Sequence, residues 1–256
     1  MANTGGAVNL PADDMAALLS ALEGSDSVEL KVTVPDGDQR SAIQALDMDA
    51  LDAQIRQVIY FDTPDLALNR HGVIVRARRT TAGDDSVIKL RPVVPQELSA
   101  SLRKKAGFGV EVDAMPGGFV CSASLKAKKR AGKVKEVLKG EKPVSSLFSK
   151  EQRAFFEDCA PEGITLDELT VLGPITALKL KYSPPGYDRK LVAEVWFYPD
   201  GKRILELSTK CASTETFDVA IRTREFLREH GIDLTGEQQA KTRTALEYFS
   251  RELTKT

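Results

Sequence analysis

Histidine is almost missing from this chain of 256 residues: only His71 and His230 occur, which excludes a metal centre built on several imidazoles. Cysteine is nearly as scarce. Cys121, Cys159 and Cys211 are odd in number, widely separated and without a CxxC pair. A disulfide framework is therefore excluded, buried small apolar thiols are expected, and a reducing, cytoplasmic setting fits best. No apolar run approaches the roughly 20 residues of a membrane span. Residues 1–26 hold Asp13, Asp14, Glu23 and Asp26 but no Lys or Arg, so a secretory signal is not expected. An excess of one charge is lacking too. A net charge of −1 and a pI near 6.2 argue against general nucleic-acid binding. Nor is there a recognisable Ser/His/Asp or Cys/His arrangement for covalent catalysis.

What remains is an ordinary globular composition, 42% hydrophobic and 29% charged, long enough to bury a core without staples. Residues 1–26 read as an N-terminal extension with a short amphipathic stretch from Pro11 to Glu23, and 27–256 as one domain. Period-two alternation begins at Ser27, with Val28, Leu30, Val32 and Val34 set against Glu29, Lys31 and Thr33. Further strands are expected over 54–61, 73–79, 86–91, 109–114, 174–182, 190–198 and 202–210. The turns between them include Asp62-Thr63-Pro64, Ala82-Gly83-Asp84-Asp85 and Pro199-Asp200-Gly201. Residues 115–170 read as a helical insertion, with helices expected over 126–138 and 150–159. Two more are expected at the end, the first running to His230 and the second over 237–252. About eight strands thus surround an inserted helical segment.

The polar faces of these strands repeat one arrangement, a charge at i and another at i+2. Glu29/Lys31, Arg76/Arg78, Lys89/Arg91, Glu111/Asp113 and Lys179/Lys181 follow it, and Glu194 and Glu206 extend it. Residues two apart on a strand share a face. A solvated sheet surface is one reading. Sign segregation favours another, because same-sign neighbours such as Arg76 and Arg78 repel and a face built for solubility would mix its signs. Closing the strands into a barrel would gather the charges inside, with the apolar faces outside and covered by helices. The interior would hold seven bases against five acids. Arginine and lysine in that number suit a polyanion, and carboxylates beside them make sense if Mg²⁺ or Mn²⁺ bridges them to phosphate oxygens.

Several segments carry a resemblance to a known family. They are Val28-Glu29-Leu30-Lys31, Tyr60-Phe61-Asp62-Thr63-Pro64-Asp65-Leu66, Arg76-Ala77-Arg78, Lys89-Leu90-Arg91, Arg203-Ile204-Leu205-Glu206-Leu207 and Gln239-Ala240-Lys241-Thr242-Arg243. In this order and spacing the chain, from about Ser27 to Arg251, resembles the CYTH-domain proteins, also called triphosphate tunnel metalloenzymes. The resemblance implies an α+β fold. Its centre would be an eight-stranded antiparallel β-barrel, a tunnel with a charged interior, flanked by helices and the insertion. It also implies Mg²⁺ or Mn²⁺ and a triphosphate or polyphosphate ligand. Family members include inorganic, thiamine and RNA triphosphatases and class IV adenylate cyclases.

Carried over residue by residue, Lys31, Arg76, Arg78, Lys89, Arg91 and Lys241 would contact phosphate, joined by Lys179 and Lys181 from the charge pattern. Glu29 and Glu206 match metal-binding positions, with Glu111, Asp113 and Glu194 as further carboxylates. Glu29, Glu206 and Lys31 stand as the catalytic candidates. Two departures are visible: the family's ExExK begins here with Ser27, and its late ExE ends here with Ser208. Three functions are consistent with this set. The leading one is metal-dependent hydrolysis of tripolyphosphate or a nucleoside triphosphate. The second is a non-catalytic polyphosphate-binding module that has lost carboxylates at Ser27 and Ser208. The third is cyclisation of a nucleoside triphosphate. Outside the charged faces, the basic run 126–142 reads as a solvated helix or a lid, and Trp196 as rim packing or a base-stacking surface.

Overall fold

The computed structural model describes residues 12–239 and 241–253; the first part of the expected N-terminal extension, residues 1–11, lies outside the described residues. Nine strands form one closed barrel: β1 (Ser27–Val34), β2 (Gln54–Asp62), β3 (Val73–Thr80), β4 (Gly83–Leu90), β5 (Phe108–Met115), β6 (Gly118–Lys129), β7 (Thr170–Tyr182), β8 (Leu191–Phe197) and β9 (Arg203–Cys211). Their order around the wall is β1-β5-β6-β4-β3-β2-β7-β8-β9. Eight of the nine junctions are antiparallel; β1 and β5 run parallel. The expected α+β barrel is present, with one more strand than expected and this single parallel seam.

The extra strand is β6, in the part of the sequence read as the start of a helical insertion. Ser122, Ser124, Lys126 and Lys128 alternate with Cys121, Ala123, Leu125 and Ala127, so the segment has strand periodicity beneath a Lys/Ala-rich, helix-favouring composition. Pairing with β4 on one side and β5 on the other decides the contest. Helix begins only at Lys133. The Asp84-Asp85 pair likewise reads as a turn but belongs to β4. Asp85 faces Arg78 inside the barrel, whereas Asp84 outside accepts the backbone N–H of Val134.

The helices, in chain order, are α1 (Ala12–Glu23), α2 (Gln39–Ala45), α3 (Ala67–Arg70), α4 (Ala100–Arg103), α5 (Lys133–Leu138), α6 (Lys150–Cys159), α7 (Thr216–Glu229) and α8 (Lys241–Leu253). Most cover the outer wall. Ile59, Phe61, Val75 and Ile88 pack under Val134, Val137, Phe155 and Phe156 of α5 and α6. Val32, Leu191 and Leu207 pack under Ala42 of α2 and Phe226 and Leu227 of α7. Leu18, Ala21 and Leu22 of α1 pack on Val28, Val110 and Val112, which makes the latter part of the extension a component of the core. Each buried branched side chain contributes about 1.5–3 kcal/mol relative to exposure, which is what holds helices against a sheet whose other face is polar.

α8 is different. Its Ala245 and Leu246 pack with Val58, Tyr60, Ile74, Ala177, Trp196 and Ile204. These strand residues share faces with Arg56, Arg76, Lys179, Glu194 and Glu206, so the contact lies on the inner wall. The hollow is therefore charged along one part and plugged with apolar side chains at the end where α8 sits. It is a cup more than an open tunnel.

Candidate functional site

Alternation turns every expected charge pair inward, with Lys181 reaching only the mouth, and register sorts them into distinct groups. The parallel seam sets Glu29 opposite Asp113 and Ser27 opposite Glu111. Oxygens of Glu29, Glu111 and Asp113 lie within 4.8 Å of one another. Lys31 bridges two of them, at 3.0 Å from Glu29 and 2.8 Å from Asp113. Lys89 reaches Asp113 at 3.4 Å, and Lys210 pairs with Glu111. Burial opposes the ionised form of Asp113, whose side chain is 5% exposed, yet the Lys31 and Lys89 ammoniums outweigh it and hold the carboxyl at about 2. Burial likewise opposes the charge on Glu29, and Lys31 and Lys210 overcome it and lower its pKa. Ser208, at the position of a missing acid, donates its hydroxyl hydrogen bond to Glu29 at 3.2 Å.

Glu194 and Glu206 form a second, separate group. They face each other in register on β8 and β9, and the Lys241 ammonium lies between them, 2.5 Å from Glu194 and 2.8 Å from Glu206. Lys179 completes it at 2.9 Å from Glu194. The five expected carboxylates therefore do not converge on one point. Lys241, expected as a phosphate contact, is engaged by carboxylates instead, because α8 inserts its first residue into the wall beside them.

A third group has cations without carboxylates. The Nε of Arg76 is buried and has no hydrogen-bond partner among the described residues. Burial lowers the pKa values of Lys89, Arg91 and Arg56, and the Arg76 charge adds to it, against the opposing pull of Asp113 on the first two and of Glu194 and Asp85 on the third. Neither Arg76 nor Arg91 has an ion-pair partner among the described residues, and Arg56 is held only by the Gln54 side chain at 2.6–2.9 Å. Arg78 does have one: its Nε donates to both oxygens of Asp85, at 2.9 and 3.1 Å. Lys181 is exposed at the end of β7 beyond Lys179, so it lines the mouth and not the interior.

The Tyr60-to-Pro64 segment divides its work between local structure and the site. Tyr60 faces inward and shares a hydrogen bond with the Thr242 hydroxyl at 3.1 Å; Phe61 packs outward, edge-on against Phe148. Asp62 is buried and accepts from the backbone N–H groups of Thr63, Leu68 and Asn69, which fixes the entry to α3. Gly72, just after α3, holds Arg91 in place: its carbonyl accepts the Arg91 N–H at 2.9 Å, and its φ of +75° leaves a Cβ no room. Inward-facing charges that escaped the sequence reading include Arg56 and Asp85 on the wall, and Lys126 and Lys210 at the mouth. The last two continue the i, i+2 rule from Ser124 and Ser208, a signal available in the sequence. Trp196 is buried at the plug, donating to Glu194 at 3.2 Å, which suits packing and not base stacking from a rim.

Oxygen donors in an acidic trio suit a hard divalent cation such as Mg²⁺ or Mn²⁺, so Glu29, Glu111 and Asp113 fit that role by their chemistry. The groups around them suit an anion with several oxygens, since Arg76 and Arg91 have no ion-pair partner among the described residues. Among the described residues, no helix is long and apolar enough to cross a membrane.

By sequence, no protein-family profile and no curated protein matches the chain. Its shape does match solved structures. A Bacillus halodurans protein provisionally named an adenylate cyclase superposes with a TM-score of 0.59 at 16% identity, over 86% of this chain and 97% of that one. A Hippeastrum protein, provisionally named an adenylyl cyclase and described as having a dominant triphosphatase activity, gives 0.59 at 20% identity, over 82% and 91%. With the closed charged barrel, its helical cover and these neighbours in hand, the chain has the fold of the CYTH, or triphosphate tunnel metalloenzyme, family.

Proposed function

We propose that this protein binds a triphosphate-containing substrate in the charged cup and hydrolyses a phosphoanhydride bond with the help of Mg²⁺ or Mn²⁺. The observation that carries the reading is Arg76, a half-buried arginine whose Nε is buried and unpartnered among the described residues, set near Arg91 and Lys89 in a wall with many ion pairs. A buried guanidinium N–H without a partner is costly, and a phosphate oxygen is an acceptor that would satisfy it. Three phosphates present more oxygens than one arginine can use, which gives Arg91, Arg56 and the lysines at the mouth something to bind.

In this reading Glu29, Glu111 and Asp113 would hold the divalent cation. When bound, that cation supplies Lewis-acid neutralisation of charge on the phosphate oxygens. The chain's own residues do the rest. Arg76 and Arg91 fix the phosphate chain and offset charge that grows on the transferred group. Lys31 keeps Glu29 and Asp113 ionised, and Glu29 is then able to accept a hydrogen bond from an attacking water. Glu206, engaged by Lys241, is the weaker candidate for that task.

A second reading, a binding module without turnover, draws its support from the same ion pair: with Lys241 on Glu194 and Glu206, one carboxylate set fewer is available for metal. Phosphate release by malachite green, across tripolyphosphate, ATP and thiamine triphosphate with Mg²⁺ or Mn²⁺, decides between them. Metal-dependent release that is lost in Glu29→Gln supports hydrolysis. Tight calorimetric binding without release retires it in favour of the module, and cyclic nucleotide formed from ATP redirects the assignment to a cyclase.

A further inference from the structure

In-register glutamates on adjacent antiparallel strands place two like charges side by side, an arrangement that destabilises a sheet unless a cation lies between them. For Glu194 and Glu206 that cation is Lys241. Its ammonium is not a passing contact. The side chain is 12% exposed and lies 5.1 Å from the centre of the Trp196 ring, over its face, while the Trp196 N–H donates to the same Glu194 oxygen that Lys241 contacts. The helix that carries it is tied down as well. Tyr198 donates its hydroxyl to the Lys241 carbonyl at 3.1 Å, and the Tyr60 and Thr242 hydroxyls share a hydrogen bond. Two carboxylates, one ammonium between them and Lys179 at the edge leave no net charge for a divalent ion to neutralise.

The trio at the parallel seam has a firmly held lysine of its own, Lys31, at 3.0 Å from Glu29 and 2.8 Å from Asp113, but its other two lysines are held more loosely. Lys89 stands at 3.4 Å, and Lys210 is half exposed at the mouth. Lysines of that kind can swing into solvent, or onto a phosphate when one is bound, and leave the carboxylates to a metal, since a lysine is a flexible point charge. Lys241 has no such freedom.

We propose that Lys241 is a built-in cation that takes the place of an exchangeable metal at Glu194 and Glu206, leaving Glu29, Glu111 and Asp113 as the one divalent site. This deepens the metal-dependent reading above and rests on it for that site.

The test uses the full chain and Mn²⁺ alone, without phosphate. Free Mn²⁺ is counted by electron paramagnetic resonance, and uptake is confirmed by calorimetry. The wild-type protein is expected to take up one Mn²⁺, Lys241→Met two, and the double variant Lys241→Met/Glu206→Gln one. Trp196, the single tryptophan, adds a local report: Mn²⁺ should quench its emission several-fold more in Lys241→Met than in the wild type. Equal uptake in wild type and Lys241→Met, with no added quenching, overturns the proposal. Uptake of two ions by the wild type overturns it even if the variant does not fold. Uptake rising from none to one leaves the role of Lys241 standing and sinks the metal assignment of Glu29, Glu111 and Asp113.

Discussion

Replacing Asp113 by asparagine removes the anion on which Lys31 and Lys89 converge while keeping the shape and one acceptor oxygen. The cost follows from the carboxyl's own titration. Its ordinary value is 3.8, and in the folded protein it is held at about 2. A depressed carboxylate adds stability that is complete above the unfolded value and disappears as pH falls through the folded one. A shift of that size corresponds to about 2 kcal/mol at neutral pH, at 1.36 kcal/mol per pH unit. The gap between wild type and Asp113→Asn in urea unfolding should therefore be about 2 kcal/mol at pH 7, roughly half that by pH 3, and close to zero near pH 2. The side chain is almost fully buried, so added salt should change the gap little. A gap that stays constant from pH 7 to pH 3, or one below about 0.5 kcal/mol throughout, would refute the argument that Lys31 and Lys89 hold this carboxylate ionised.

Three further outcomes are expected. Arg76→Met should leave ligand-free stability within about 1 kcal/mol of wild type, or raise it, because a buried unpartnered Nε is removed; the rise in melting temperature caused by tripolyphosphate should vanish, and its persistence would count against Arg76 as a phosphate ligand. Gly72→Ala forces a Cβ to 2.0 Å from the Arg91 carbonyl at a φ of +75°, so thermal unfolding should show a loss of about 2 kcal/mol or more, with weaker tripolyphosphate binding by calorimetry as Arg91 is displaced. Glu111→Gln should weaken Mn²⁺ binding on the order of tenfold or more while leaving metal-free tripolyphosphate binding in place, since the arginines and the acidic trio are separate groups.

The site was legible wherever its signal is local. Side-chain direction on a strand depends only on the parity of the residue number, so Glu29, Lys31, Arg76, Lys89, Asp113, Glu194 and Glu206 could be placed on one face from the sequence alone. The same rule could have recovered Lys126, but four consecutive residues of Lys-Ala-Lys-Lys favour helix, and only strand neighbours on both sides overrule that preference. The two Asp residues after Gly83 misled for a similar reason: they are turn formers by habit, and here each finds a partner that a strand position provides.

Which charges meet was decided by the tertiary structure. Alternation along the chain fixes a face but carries no information about the strand next door, because the order around a barrel is set by pairings between distant segments. The parallel junction of β1 with β5 brings Glu29 to Glu111 and Asp113 from about 80 residues away. The insertion of α8 brings Lys241 to Glu194 and Glu206 and turns one end of the hollow into an apolar plug. The sequence by itself determined strands with one charged and one apolar face, since period-two patterning is local; sign segregation favoured a closed sheet with the charge inside over a solvated face. The division of that interior into a carboxylate trio, a lysine-bridged glutamate pair and a cluster of uncompensated arginines came from register and closure, which act through space and leave no local trace.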